Sequence, residues 1–265
     1  MKALDPVKTM TNQQWLDTHQ YTTESIEDYE RVFGKDFVSP GGSALSEQLI
    51  ASLALIPGQQ VLDVGCGLGG SAFLMARDHQ VNVTGIDLSE NMLRLARQRL
   101  NHYKLQALVS FELQDCLTMT YDTSFDVIHS RDVFLHIAEK SQLFKRLHQA
   151  LKPDGQLLFT DYGCGPEPWN REFGAYVDSR GYHLHTVDSY HALIEQAGFR
   201  SVNVEDLTDQ FIELLHAEID TIQTLDVDDH KKQLLQSSWQ SKLQRAQGGD
   251  HRWLRASARA NAVVA

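Results

Sequence analysis

The sequence predicts an open α/β fold, in which a mostly parallel seven-stranded sheet carries helices on both faces. Short apolar segments rich in β-branched residues alternate with amphipathic segments along the 265 residues, which is typical of parallel strands joined by helical crossovers. A glycine-rich turn at residues 65–70 follows the first of these strands. Because ligands bind at the carboxyl ends of the strands in such sheets, we expect a crevice there.

Two helical segments precede the sheet. Residues 11–33 carry an incomplete apolar stripe that predicts one helix, and a Pro-Gly-Gly break at 40–42 separates it from the next. The second helix is expected over residues 43–55, where the Pro-Gly pair at 57–58 ends it.

The alternating elements follow in chain order. We expect seven strands, at residues 61–64, 81–86, 109–113, 125–128, 156–160, 202–204 and 253–258. The helices are expected through 73–76, from the N-cap Ser89 to residue 100, through 143–151, over 188–197 and, as a pair, over 208–247.

Residues 163–185 interrupt this alternation. They are rich in aromatic and polar side chains, and we interpret them as an insertion over the crevice. We therefore expect a single domain over 1–265, with a helical lid at 1–42, a ligand-binding core at 43–162, and the insertion and last elements at 163–265.

Composition excludes several classes of protein. The chain has 24 Lys and Arg against 35 Asp and Glu, a formal charge of −11, whereas a general binder of nucleic acid or anionic membranes needs a basic face. The first six residues lack the apolar core of a signal peptide, and no apolar run is long enough to span a bilayer. We expect a cytoplasmic monomer without a nucleic-acid or membrane partner.

Cysteine and histidine give no sign of disulfide or metal chemistry. The three cysteines are widely spaced and odd in number, so no disulfide framework or metal-binding pair can be inferred from them. The twelve histidines include the pair His183 and His185, but no carboxylate or cysteine at ligand spacing accompanies it. No metal site is expected.

The glycine-rich turn carries the first functional signal. Gly65 and Gly67 allow the backbone to approach a ligand where a Cβ would clash, and the helix that follows presents free N–H groups. Together with Gly70 they also fit the GxGxxG pattern of dinucleotide-binding proteins, so the turn alone leaves the cofactor open.

Three carboxylates at successive strand ends narrow the choice of cofactor. Asp63 lies two residues before the first glycine, where it suits an ammonium group or orders the turn. Asp87 ends the second strand and suits both ribose hydroxyls, whereas Asp115 ends the third and suits an adenine amino group. The alternative is that Asp87 and Asp115 are only helix caps.

This pattern resembles that of the Rossmann-like class I methyltransferases, which bind S-adenosylmethionine. The resemblance covers residues 45–205 and implies S-adenosylhomocysteine as the product of the cofactor. A dinucleotide-dependent oxidoreductase gives no reason for Asp115 and is disfavoured. The residues that the resemblance implies around the cofactor are Tyr21, Val38, Ser39, Asp63, Gly65, Gly67, Asp87, Leu88, Asp115, Cys116 and Arg131.

Segments outside the common core resemble the phosphoethanolamine N-methyltransferases, particularly their short single-domain members. The resemblance runs along nearly the whole chain and rests on residues 20–29, 38–42, 130–137 and 161–162, with the insertion and the last helix. It implies three successive N-methylations of the small molecule phosphoethanolamine, through its mono- and dimethyl derivatives, to phosphocholine, a precursor of phosphatidylcholine.

The resemblance divides the acceptor site into a phosphate end and an amine end. At the phosphate end, Arg180 and Lys242 supply charge, and Tyr176 and Tyr182 supply hydroxyls. At the amine end an alkyl ammonium, with a pKa of about 10, must lose a proton before it can attack.

The amine end therefore needs a base and groups that hold the nitrogen. His136 is the expected base, and Tyr21 is expected to hydrogen-bond to it, so that these two are the catalytic residues. Asp132, expected one helical turn before His136, holds the amine by charge, and Gln20 and Tyr162 line the cavity.

Two rival functions remain open. A methyltransferase acting on glycine, sarcosine or an imidazole metabolite would not need Arg180, Tyr182 and Lys242 together. A non-catalytic module that only binds S-adenosylmethionine would not need both Tyr21 and His136.

Overall fold

The computed structural model describes residues 12–261. The first residues of the expected lid, including the start from which the absence of a signal peptide was inferred, lie outside the described residues. None of the helices over residues 12–261 combines the length and apolar character that crossing a bilayer requires.

A single seven-stranded sheet organises the molecule, as predicted. Its strands are β1 (Gln60–Val64), β2 (Asn82–Asp87), β3 (Val109–Leu113), β4 (Phe125–Arg131), β5 (Leu151–Cys164), β6 (Arg200–Asp206) and β7 (His251–Arg259). They are ordered β3-β2-β1-β4-β5-β7-β6, and β7 runs antiparallel to both of its neighbours while the other pairings are parallel. The predicted fold class is confirmed.

Helices connect and cover the strands. They are α1 (Asn12–Trp15), α2 (Thr23–Phe33), α3 (Gly42–Ser52), α4 (Gly70–His79), α5 (Glu90–Tyr103), α6 (Lys140–Ala150), α7 (Arg171–Arg180), α8 (Val187–Gln196), α9 (Thr208–Thr224) and α10 (Asp229–Gln247). One apolar cluster packs α3, α4 and α9 on one face of the sheet, and another packs α6 and α8 on the other face.

The prediction of one continuous helix over 11–33 is wrong. After α1 the chain forms a π-helical turn, Leu16–Gln20, and α2 starts afresh at Thr23. The Thr22 hydroxyl accepts a hydrogen bond from the Ser25 N–H at 3.2 Å, and this N-cap explains why a new helix begins there. The break places Gln20 at the end of the π-helical turn and Tyr21 directly after it, instead of on one continuous helix face.

The predicted helix through residue 151 also ends too late. α6 stops at Ala150, and Leu151 adopts an extended conformation opposite Phe125 of β4. β5 thus begins five residues before the expected strand and continues to Cys164, because β7 pairs with it over nine residues from Gln156 onward.

Candidate active site

One cavity of about 620 Å³ lies at the carboxyl ends of the parallel strands, a size usual for small-molecule sites. The segment before α2 borders it on one side, and α7 and α10 border it on another. Every residue that the sequence analysis assigned to the cofactor, the acceptor or catalysis lines this cavity. Residues from distant parts of the chain therefore meet at the sheet edge that the fold class predicts.

The glycine-rich turn has the backbone that its sequence predicts. Gly65 and Gly67 have φ of +68° and +53°, a region that favours glycine. A Cβ on Gly65 would lie 2.3 Å from a methyl group of Val133, so the turn packs closely against the segment after β4. The Gly67 N–H donates to Asp87 at 2.8 Å, which ties the turn to the end of β2.

Asp63 is a buried carboxylate with one oxygen unused. Its Oδ1 lies 2.8 Å from Nδ1 of His129, which is itself buried on β4. Its Oδ2 is buried and has no hydrogen-bond partner among residues 12–261. A buried carboxylate oxygen without a donor is costly, so this atom suits the ammonium group of a ligand.

Asp87 and Asp115 both engage nearby backbone as well as lining the cavity. Asp87 accepts from the N–H groups of Gly67 and Ser89, each at 2.8 Å, and burial still raises its pKa to about 6. Asp115 accepts from the Leu117 N–H at 2.8 Å. Local capping and ligand binding are compatible here, because each carboxylate offers more acceptor sites than these bonds occupy.

Arg131 holds the loop that carries Val38 and Ser39. Its buried guanidinium donates to the carbonyls of Pro40 and Gly42 and, at 2.7 Å, to the hydroxyl of Ser46. Burial lowers the pKa of this guanidinium below its ordinary value. Arg131, which the sequence assigned to the cofactor, therefore chiefly connects the end of β4 to the start of α3.

A carboxylate fastens the lid segment to the core. Asp17, in the π-helical turn, accepts from the Ser89 hydroxyl and from the N–H groups of Glu90 and Asn91 at the start of α5. The Asn91 amide donates back to the carbonyl of Tyr21 at 2.9 Å. A carboxylate at a helix N-terminus is stabilised by the free N–H groups there, so the lid docks next to the strand end that carries Asp87.

The sequence predicted that Asp132 and His136 lie on one helix, and this prediction is wrong. Asp132 follows β4 with φ of +55°, a conformation that aspartate tolerates better than most residues. Its Oδ1 accepts from the Thr160 hydroxyl at 3.0 Å and from the Trp253 indole at 2.8 Å, whereas its Oδ2 is buried without a partner among the described residues. This is the second free carboxylate oxygen of the cavity, and it suits the acceptor ammonium.

The predicted hydrogen bond between Tyr21 and His136 is wrong, because a third residue stands between them. The Gln20 amide lies 3.4 Å from Nε2 of His136 and donates to the Tyr21 hydroxyl at 3.2 Å. Burial and the nearby Lys140, Arg180 and His183 lower the pKa of His136 to about 4, so its ring is neutral at pH 7.

A buried lysine positions the short helical turn that carries His136. This 3₁₀ turn spans Phe134–His136, and the Lys140 ammonium donates to the carbonyls of Phe134, Ile137 and His183. Leu135, inside the turn, is held from both sides: its N–H donates to Asp161, and its carbonyl accepts from the His183 N–H at 2.7 Å. The turn is thereby fixed to β5 and to the end of the insertion.

Cations and tyrosines form the other end of the acceptor site. The Lys242 ammonium lies 4.9 Å from the ring centre of Trp239 and 5.9 Å from that of Tyr162, and burial lowers its pKa to about 8. Arg180 lies at the exposed rim, 5.9 Å from the ring of Tyr176. The rings of His136 and Tyr182 are 5.2 Å apart, so the amine end and the cation end adjoin.

Several residues of the site were missed by the sequence analysis. Arg245 lines the cavity beside Tyr176, and His129, Lys140 and Trp253 hold predicted residues from behind. The only sequence signal for Arg245 is its position three residues after Lys242 on a helix. His129, Lys140 and Trp253 have no local signal in the sequence, because only the folded sheet brings them close to the residues that they hold.

The sheet order, the antiparallel β7 and the carboxylates at the first three strand ends define a class I methyltransferase. A family model described as a methyltransferase domain matches residues 56–198. The chain is 44% identical over 249 residues to phosphoethanolamine N-methyltransferase 1 of Zea mays, covering 91% of this chain and 49% of that one. It is 35% identical over 209 residues to the phosphoethanolamine N-methyltransferase of Plasmodium falciparum, covering 77% of each.

A solved structure of a phosphoethanolamine N-methyltransferase also matches the chain. Phosphoethanolamine N-methyltransferase 2 of Haemonchus contortus, in complex with phosphomonomethylethanolamine and S-adenosylhomocysteine, matches with a TM-score of 0.91 and 33% identity. The match covers 96% of this chain and 61% of that chain. The chain belongs to the phosphoethanolamine N-methyltransferase family. It spans about half the length of its plant relatives.

Proposed function

We propose that the protein is an enzyme that methylates the amine of phosphoethanolamine with S-adenosylmethionine and carries the product stepwise to phosphocholine. The observation that carries this proposal is the 5.2 Å contact between the rings of His136 and Tyr182. It sets the neutral ring of the amine end next to a tyrosine of the phosphate end, so that one small acceptor carrying an amine and a phosphate can reach both. Residues 1–42 act as a lid, 43–162 bind the cofactor, and 163–265 complete the acceptor site of a cytoplasmic monomer.

The turn and strand ends suit the cofactor. The unpaired Oδ2 of Asp63 receives its ammonium group, Asp87 its ribose hydroxyls and Asp115 its adenine amine, with Leu88 and Cys116 beside the base. When bound, S-adenosylmethionine supplies an electrophilic methyl carbon on a sulfonium and leaves as S-adenosylhomocysteine. Gly65 and Gly67 keep the backbone free of side chains where the cofactor passes.

The acceptor is held at both ends. Lys242, Arg180 and the hydroxyls of Tyr176 and Tyr182 bind the phosphate, and the unpaired Oδ2 of Asp132 binds the ammonium. Glu218 and Asp132 are the negative side chains that act on Lys242, and the oxygens of Glu218 already accept from the Gly41 N–H and the Trp239 indole. A bound phosphate therefore supplies the charge that this part of the cavity lacks.

His136 takes up the proton that the ammonium must lose. Because burial lowers the pKa of His136 to about 4, its neutral ring accepts the N–H hydrogen bond, directly or through water, and relays the proton to solvent without holding it. The nitrogen lone pair then forms the new N–C bond while the C–S bond breaks and its electron pair stays on sulfur. Because this displacement needs alignment and exclusion of water, the lid segment with Gln20 and Tyr21 contributes by closing the cavity.

Mass detection of products tests the proposal. The purified chain is incubated with S-adenosylmethionine and, in parallel, with phosphoethanolamine, ethanolamine or sarcosine. We expect species carrying one, two and three added methyl groups from phosphoethanolamine and little product from the other two. Methylation of sarcosine or ethanolamine in preference, or no transfer to any acceptor, would overturn the proposal.

A further inference from the structure

Arg245 lies on the same face of α10 as Lys242, three residues further along the helix, and lines the same cavity. Its guanidinium carbon is 3.8 Å from the ring centre of Tyr176, so the two groups are stacked. Arg180 approaches the same tyrosine at 5.9 Å. Tyr176 thus brings two guanidinium groups together next to a buried ammonium.

These three cations have no hydrogen bond or ion pair within residues 12–261, although most other arginines of that stretch have one. Nε of Arg245 is buried and unpartnered. His251, which packs edge to face against Tyr162 and near Tyr176, does not compensate the charge, because burial and the adjacent Arg245 and Lys242 keep its ring neutral by lowering its pKa. An uncompensated charge in a cavity favours an anionic ligand.

Stacking leaves the N–H edge of a guanidinium free for a ligand. The ring of Tyr176 covers one face of Arg245 and fixes its plane, so that two parallel N–H groups remain available to a pair of phosphate oxygens. An ammonium such as Lys242 has no such fork. Arg245 is therefore the cation of this cluster best suited to two-point recognition of an oxyanion.

The charges balance only when Arg245 is included. Arg180, Lys242 and Arg245 carry three positive charges, and Glu218 carries one negative charge, which leaves a net charge of about +2. A phosphomonoester carries about −1.5 to −2 at pH 7. The ammonium of the substrate is balanced separately by Asp132.

We infer that Arg245 is a third phosphate-binding cation, and that with it the cavity selects a doubly charged phosphomonoester over a singly charged ester of the same shape. The inference rests on the proposed function, because it assigns a ligand to the same acceptor site.

The matched probes are phosphoethanolamine and 2-aminoethyl hydrogen sulfate, which share their shape but differ by one charge. Dissociation constants for both are measured by calorimetry on the full chain in the presence of S-adenosylhomocysteine. Arg245→Gln should weaken phosphoethanolamine about 10- to 100-fold and the sulfate ester much less, because a hydrogen-bonded charge is lost. Arg245→Lys should recover part of the loss, and Arg252→Gln, at a partly exposed ion pair with Asp206, should change neither.

Equal weakening of both esters by Arg245→Gln would mean that Arg245 only supports the cavity wall, and no weakening would mean that it binds no phosphate. Either result overturns the inference. Inorganic phosphate separates this from failure of the proposed function. If the enzyme methylates no phosphoethanolamine, phosphate should still raise the melting temperature of the wild type more than that of Arg245→Gln, and equal shifts would again overturn the inference.

Discussion

Two carboxylate oxygens in the cavity are unused by the protein itself. Oδ2 of Asp63 and Oδ2 of Asp132 are buried and have no hydrogen-bond partner between residues 12 and 261, although the other oxygen of each carboxylate accepts a well-formed hydrogen bond. Leaving such atoms without donors destabilises the folded state, so their retention is explained by ligands that supply the donors. The proposed function assigns one oxygen to the cofactor ammonium and the other to the acceptor ammonium.

Replacing Asp87 should weaken cofactor binding. Asp87→Ala removes a carboxylate from the ribose hydroxyls, and hydrogen bonds to a charged group contribute about 1.5–3 kcal/mol. Asp87→Asn, which keeps one acceptor for the backbone N–H groups, should lose less. Calorimetry with S-adenosylhomocysteine measures both, with Asp220→Ala on the exposed side of α9 as the control. An unchanged dissociation constant in Asp87→Ala would contradict the ribose assignment.

The acceptor affinity should fall as pH rises through the pKa of Lys242. Burial lowers this pKa to about 8, so the ammonium loses its proton above that pH and with it the attraction for phosphate. The KM for phosphoethanolamine should therefore rise between about one unit below and one unit above this pKa. Lys242→Arg, whose guanidinium stays charged, should flatten the rise. The same slope in both enzymes would show that another group titrates.

Two elements meet at the amine end. The lid segment contributes Gln20 and Tyr21, and the 3₁₀ turn after β4 contributes His136. Asp17 anchors the first element on α5, whereas Lys140 and Asp161 anchor the second on β5 and the insertion. The Gln20 amide is the link between them. We propose that closure of the lid also orients the base.

A double-mutant cycle tests this link. His136→Ala should lower turnover about 10²- to 10⁴-fold, and adding Tyr21→Phe should lower it little further, because a shared function is lost only once. In a Gln20→Ala background the coupling between the two should disappear. Thr18→Ala, at an exposed position of the same segment, is the control. Strictly additive losses in the wild-type background would mean that Tyr21 and His136 act independently.

Helices and strands with a clear hydrophobic period could be predicted from the sequence, whereas the residues at which they begin and end could not. The strand ends that carry Asp63, Asp87 and Asp115 lie where the alternation of apolar segments places them. The break before α2 was missed because the apolar stripe continues across it, although Thr22 is a residue type that commonly caps a helix. Leu151 fits the apolar stripe of α6 as well as it fits β5, and only its pairing with Phe125 of β4 decides between them.

At the scale of the whole molecule, the topology brings the site together. In the proposed function, the first three strand ends form the nucleotide half of the cavity, and β4, β5, α7 and α10 form the acceptor half. The predicted residues of both halves line one cavity. They could be identified from the sequence because they lie in motifs of the family. Arg245 and Lys140 escaped prediction, because a cation on an amphipathic helix is most often solvated and its burial depends on elements far away in the chain.

The ratio of kcat/KM for phosphoethanolamine to that for ethanolamine measures phosphate recognition by the cavity, because the two acceptors differ only in the phosphate. We predict a ratio of at least about 10², since each charged hydrogen bond to the phosphate contributes about 1.5–3 kcal/mol. The ratio should fall in Lys242→Met and stay unchanged in Lys152→Met, whose ammonium pairs with Asp126 outside the cavity. A wild-type ratio near one would mean that the cavity does not recognise the phosphate and that phosphoethanolamine is not the acceptor.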